Sequence, residues 1–378
     1  MSPPDVARLR EEFPVLHSCT YLNNNSAGAF PRGTDAVLAR WAATLRGWRD
    51  EMVEDLLVGL RHYHASLEHF LGAAPQTVIT DGSVSTLLGR LATAFTFDGE
   101  RTRVITTDRE FPSGPWIWEG LRRAGAEPHV VRWGDDPEGA IERALDERVK
   151  LVCVTHGCFR TGAVLDIGRV VRAAHAVGAQ VIVDAYQTVG VVPVDVTALG
   201  VDYLLGGAHK WLCGALDSAY LYVRPDRVDS LAPLATGWMA GADPFSFEVP
   251  TRWAEGAGRL ASGTPALLPA LFSLVGLDLL AGVGIDAIRA RSLALTDRIF
   301  DWAATANVDV LTPRAVERRG GVVSLRFAGD RQVAAELVHR GFVCSWRGGL
   351  RIAPHVYNTP EEVDAFLAAL DLVRREIA

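Results

Sequence analysis

From Gln76 to Val223, short apolar runs alternate with stretches whose apolar residues recur at helical spacing. TVIT (77–80), RVITT (103–107), HVVRW (129–133), LVCVT (151–155), QVIVD (180–184), YLLGG (203–207) and AYLYV (219–223) read as strands. Amphipathic segments such as IGRVVRAAHAVG lie between most of them and read as helices. Strands without a polar face need cover on both sides, so the alternation predicts a largely parallel sheet between two layers of helices. Ligands of such sheets collect beyond the carboxyl ends of the strands. Asp184 ends one strand, Thr155 ends another, and Lys210 follows a third.

Upstream, Tyr21–Gly33 (YLNNNSAGAFPRG) reads as loop and Thr34–Leu71 as helical. After Ala232 the alternation stops. A loop-rich stretch, Ala235–Gly263, leads into an apolar helix over 266–283. Next come a helix IRARSLALTDRIFDWAA, a strand VVSLRF, a helix DRQVAAELVHRG and a strand pair around FVCSWRGGLRIAP. The closing helix opens TPEE from Thr359, with threonine as N-cap, proline in the first turn and two acids that complement the dipole. The expected organisation is an N-terminal segment and large domain over residues 1–255 and a smaller α+β domain over 256–378.

Composition narrows the class. With 378 residues, 49% apolar and 22% charged, the chain has the makeup of a soluble globular protein. A net charge of −7 argues against nucleic acid as a partner. The apolar window 266–285 is broken by Pro269, Asp278 and three glycines, so a membrane span is not expected, and MSPPDVARLREEF has no signal-peptide core. Five scattered cysteines without CxxC spacing point to reduced thiols and a cytoplasmic location. His62, His64 and His69 match no usual zinc spacing, and no metal is expected.

The charge count changes the picture most. Of 38 Lys plus Arg, only Lys150 and Lys210 are lysines. Arginine serves for surface charge, but only a lysine amine deprotonates readily to a nucleophile. Lys150 closes the polar run DERVK, whereas Lys210 sits in the apolar, glycine-rich YLLGGAHKWLCGA. Poor solvation there lowers its pKa, as in lysines that form Schiff bases; the alternative is a stem that snorkels to solvent.

Other residues carry double readings. Asp184, ending VIVD, would either favour a protonated pyridine ring or form a structural ion pair. TDGSVSTLLGRLATAF (80–95) offers either an anion site at a helix N-terminus or simple capping by Ser83. Phe111, in DREFPSGPW, would stack on a flat cofactor or staple the next helix. Arg351, within GGLRIAPHVYNT, must meet a carboxylate from the protein or from a substrate. Arg347, beside the glycines, is expected to be exposed.

These pieces together resemble the class V aminotransferase group of fold-type-I enzymes that use pyridoxal 5′-phosphate. Asp184–Gln187 followed by His209–Lys210 carries that likeness. YLNNNSAG, DREFPS, THGCFRTG, VPVDVTALGVDY, ATGW, SGTP and RSLALTD resemble kynureninase segments in the same order. The resemblance implies an α/β fold with a mainly parallel seven-stranded sheet and a smaller C-terminal domain. By position, Lys210 would take the cofactor aldehyde and Asp184 the pyridine nitrogen, with Gln187 near the ring oxygen. Ser83 and Val84 would hold the phosphate, with His209 and Trp238 beside it, while Phe111 stacks and Thr155 touches the ring edge. Thr264 would reach the phosphate of the second subunit in a homodimer, Arg351 would clamp the substrate α-carboxylate and Asn25 would line its pocket.

The implied activity begins with negative charge at Cα of a free L-α-amino acid and continues as kynureninase-like cleavage of a Cβ–Cγ bond. The alternatives are a C–S β-lyase, then transamination, epimerisation or decarboxylation, and lastly a non-catalytic sensor. Kynureninases usually have His where Gln187 stands and Tyr where His209 stands, and both departures look like desulfurases. GGLRIAPHVYNT resembles the wider class V group more than kynureninase. Cys344, in an apparent strand before Arg351, lacks the mobile loop of a desulfurase nucleophile.

Overall fold

All seven apolar runs between Thr77 and Val223 enter one sheet of the computed structural model, which describes residues 5–49, 52–249 and 252–377. Across the sheet the order is Val78–Asp81, Ala219–Val223, Tyr203–Gly207, Gln180–Asp184, Val149–Thr155, Arg103–Thr107 and Glu127–Val131. Ala219–Val223 runs against both neighbours and the other six share one direction, so the sheet is mixed rather than wholly parallel.

Alternate residues of each strand enter different cores, as the pleat demands. Val152, Val154, Val181 and Val183 pack with Val170 and Ala174 of the helix Ile167–Ala176 and with Leu277 and Leu280 of Leu267–Val283. Leu151, Cys153, Ile182 and Leu205 pack on the other face, against Leu87 and Leu91 of Val84–Ala92 and Trp118 of Ser113–Gly120. Each fully buried Val, Leu or Ile side chain contributes roughly 1.5–3 kcal/mol. The second face includes Thr155 and Asp184 by the same alternation, so the strand ends that carry polar groups open toward the helix Val84–Ala92.

The predicted helical stretch Thr34–Leu71 is two helices, Thr34–Arg46 and Met52–Phe70, with Gly47 closing the first. Among the described residues no single helix is long and apolar enough to cross a membrane; Leu267–Val283 and Ile285–Thr305 meet at an 84° bend.

The C-terminal part builds an antiparallel sheet in the order Ser345–Trp346, Leu350–Ile352, Val323–Arg326 and Asp309–Val310. Ile285–Thr305, Asp330–His339 and Pro360–Ile377 bury Leu295, Val333 and Phe366 against it. The last helix starts with a reciprocal cap: Thr359 Oγ1 accepts from the Glu362 N–H at 3.2 Å and Glu362 Oε2 accepts from the Thr359 N–H at 3.0 Å.

One N-terminal segment ties the two sheets together. Thr20–Tyr21 pairs in parallel with Phe342–Val343, and Asn23 bridges to Ala353, two residues beyond Arg351. Five residues later the Gly28 N–H donates to the carbonyl of His209 at 2.6 Å. The loop NNNSAG therefore spans from the arginine strand to the lysine turn.

Candidate active site

Lys210 leaves the sheet in a tight turn. The Gly214 N–H reaches the Ala208 carbonyl at 2.8 Å, and Cys213 takes a left-handed backbone at φ +53°. The turn leaves no room at residue 28, where a Cβ would stand 2.2 Å from the Lys210 carbonyl oxygen. The second glycine of YLLGG has a similar cause: a Cβ at 207 would lie 2.0 Å from the Tyr186 hydroxyl. That space lets Tyr186 pass beneath the turn, with its hydroxyl 2.8 Å from His209 Nδ1 and its ring centroid 4.4 Å from Lys210 Nζ.

The turn opens into a cavity of about 580 Å³ at the carboxyl ends of the strands. Ten of the residues singled out from sequence line it: Asn25, Ser83, Val84, Phe111, Thr155, Asp184, Gln187, His209, Lys210 and Arg351. Trp238 and Thr264 border two other depressions, of about 820 and 360 Å³. Trp238 stacks on Phe247 with centroids 5.8 Å apart.

The electrostatics follow from enclosure. Desolvation lowers Lys210 to about 8, against the opposing pull of Asp184. Desolvation also raises the Asp184 carboxyl, despite one hydrogen bond from the Tyr186 N–H at 2.9 Å and the Lys210 charge. His209 is pushed down to about 4 by desolvation and by Lys210, so it is neutral at pH 7. Phe111 keeps half its surface exposed and meets Phe159 edge-on at 5.3 Å.

Arg351 is 3% exposed and its partners are neutral. Nη1 donates to the Phe159 carbonyl at 2.7 Å, and Nη2 donates to Ser26 Oγ at 3.1 Å and Ser345 Oγ at 3.0 Å. The amide orientation of Asn25 that satisfies both groups turns its oxygen to Arg351 Nε at 3.1 Å and Nη1 at 3.0 Å. Burial lowers this guanidinium to about 10, with Arg347 contributing. Asn25 and Gln187 are themselves linked, since Gln187 Nε2 donates to the Asn25 carbonyl at 3.0 Å while its Oε1 accepts from Trp211 Nε1 at 3.2 Å.

This set fits a flat, phosphorylated aldehyde. An amine of depressed pKa suits the aldehyde, a desolvated carboxylate suits a cationic ring nitrogen, and an exposed aromatic face suits the ring. Ser83 caps Val84–Ala92 by accepting from the Thr86 N–H at 3.1 Å, leaving earlier N–H groups for an anion.

Comparison with known proteins agrees with that fit. The family model described as Aminotransferase class-V matches residues 40–366. This chain belongs to the class-V aminotransferase family. A kynureninase of Deinococcus radiodurans is 31% identical over 357 residues, 90% of this chain and 86% of that protein. An uncharacterized aminotransferase of Bacillus subtilis, YcbU, is 29% identical over 359 residues, covering 94% of each. A cysteine desulfurase from Thermococcus onnurineus superposes with a TM-score of 0.86 at 22% identity over 99% of both chains. The cystine C–S lyase C-DES, bound to cysteine persulfide, gives 0.85 at 21% identity over 95% of this chain and 98% of that one. The fold is therefore fold type I, and the chain is a pyridoxal-phosphate-dependent class-V enzyme.

Two residues, one lining the cavity and one beside it, escape a reading of the sequence. Tyr186 lies in plain view between Asp184 and Gln187, but only the glycine at 207 signals a ring there. Glu110 precedes Phe111, and its carboxyl accepts from Thr107 Oγ1 at 2.5 Å. Although the residue keeps some exposed surface, desolvation raises its carboxyl to about 8, and the Asp184 charge acts the same way. A lone Glu in a polar loop carries no signal of that enclosure.

Proposed function

We propose that this cavity receives pyridoxal 5′-phosphate together with a free L-α-amino acid, and that the reaction is a kynureninase-like hydrolytic cleavage of a Cβ–Cγ bond next to a γ-carbonyl. One observation carries the amino-acid part: a buried guanidinium, Arg351, met only by neutral oxygens in the same cavity as Lys210. Such a group is stabilised by a carboxylate that arrives with the ligand.

When bound, the cofactor supplies an electron sink for negative charge at the substrate Cα. Asp184 would hold the pyridine nitrogen protonated, and the N–H groups of Ser83 and Val84 would hold the phosphate beside His209. Phe111 would stack on the ring, Thr155 would touch its edge and Gln187 would face its oxygen. Lys210 would take the Cα proton and return it; with a pKa of about 8, a useful fraction is neutral near pH 7. Asn25 would position the Arg351 guanidinium beside the substrate.

Trp238 and Thr264 border other depressions of the single chain. A homodimer accounts for this, with Thr264 serving the phosphate of the partner. The kynureninase relative, aligned over nine-tenths of the chain, supports C–C cleavage as the first reading. A C–S β-lyase is second. Cys344 is buried with its thiol pushed up to about 12, which speaks against a desulfurase whose cysteine attacks sulfur. Incubation of the loaded enzyme with kynurenine, 3-hydroxykynurenine and S-substituted cysteines tests the assignment. Alanine with anthranilate or its hydroxylated form is expected; pyruvate with ammonia, from the cysteines alone, overturns C–C cleavage in favour of the lyase.

A further inference from the structure

We infer that Arg347 gives this site a preference for amino acids whose side chain ends in a carboxylate over neutral ones of the same shape. The inference rests on the amino-acid reading above and adds a charge preference to it.

Arg347 stands on the turn between Ser345–Trp346 and Leu350–Ile352, so the hairpin that carries Arg351 also carries a second guanidinium. Both line the cavity. Arg347 is exposed, and its side chain donates to its neighbour's carbonyl, Trp346 O, at 2.9 Å. Among the described residues neither arginine has a carboxylate within ion-pair distance, and for the buried Arg351 this stands out, since most other buried charges in the chain are paired. Their mutual repulsion is felt at Arg351, whose proton affinity the Arg347 charge lowers.

The acids of the cavity do not answer this excess. Asp184 faces Lys210, and Asp217 lies close enough to His209 to act on its charge. The other polar lining near the helix Val84–Ala92 is neutral: Ser85 donates to Ser113 at 2.8 Å. An α-carboxylate satisfies Arg351 and leaves Arg347 free at the mouth. A carboxylate at the far end of the side chain completes the balance. Arginine suits that task because its planar donors pair with both carboxylate oxygens.

The test uses the full-length protein loaded with pyridoxal phosphate and follows its absorption band. L-Aspartate is titrated against L-asparagine, L-glutamate against L-glutamine, and L-kynurenine stands as the neutral aromatic. At least one acid should bind at least about fivefold tighter than its amide. Arg347→Gln should erase that preference, leaving amide binding and cofactor affinity within about twofold. Amides binding as well as acids overturns the inference but not the amino-acid reading. Loss of cofactor affinity in Arg347→Gln also overturns it, since the arginine then serves the cofactor. A band unmoved by every amino acid overturns the amino-acid reading and this inference with it.

Discussion

Asp202 and Asp184 stand at opposite ends of the same sheet and are treated oppositely. Asp202, at the amino end, is fully buried and saturated. It accepts from the Val181 N–H at 2.7 Å, His175 Nε2 at 2.8 Å and Arg227 Nε at 2.8 Å, with Arg224 at 3.0 Å. Asp184, at the carboxyl end, has one backbone donor at 2.9 Å and a carboxyl that desolvation raises. The contrast separates a charge that holds the fold from a charge kept for a ligand. The arginines divide the same way: Arg224 pairs with Asp202 and Asp226, while Arg351 meets only neutral oxygens.

Substitution at the two aspartates should break the contrast if it is wrong. Asp184→Ala is expected to lower turnover at least about a hundredfold while leaving urea unfolding of the cofactor-free protein within about 1 kcal/mol. Asp202→Ala should cost about 3 kcal/mol of unfolding free energy, because it strands its cationic partners. Equal destabilisation by both would erase the distinction.

The arginines sharpen it further. Arg351→Gln should raise the half-saturating amino-acid concentration by about tenfold or more, with a smaller effect on turnover at saturation. Arg224→Gln should leave that concentration within about twofold and act on stability instead.

Much of this was legible in the residues, and the limits have physical causes. Continuous apolar runs marked all seven strands of the large sheet because both of its faces are covered. They could not mark the reversed direction of Ala219–Val223, since an apolar run reads the same in either sense. The helical pattern across Thr34–Leu71 concealed a break, although Gly47 was a stop signal in sight. Lysine scarcity pointed to Lys210, and the strand end pointed to Asp184. Glu110 stayed hidden because its raised pKa depends on enclosure by the chain around Thr107 and Thr155, which folding alone brings about.

The last expected effect is a pH dependence. Glu110 is raised from 4.5 to about 8, so between those values the folded protein holds a proton that the unfolded chain has lost. Stability from this group therefore falls as pH rises through that window. Melting of cofactor-free protein from pH 5 to 9 should show Glu110→Gln gaining on wild type up to about pH 8 and then levelling. A constant difference would mean that the carboxyl is ionised throughout. Lys210 has the opposite sign: its folded pKa of about 8 lies below 10.5, so its contribution to stability rises with pH between the two.

The decisive measurement is borohydride reduction of the loaded protein, followed by proteolysis and mass mapping of the phosphopyridoxyl group. The expected result is a single labelled lysine at position 210, loss of the visible band and none of the label in Lys210→Ala. Label on Lys150, or a protein that takes up no pyridoxal phosphate while folded, would contradict the assignment of Lys210 as the amine that receives the cofactor.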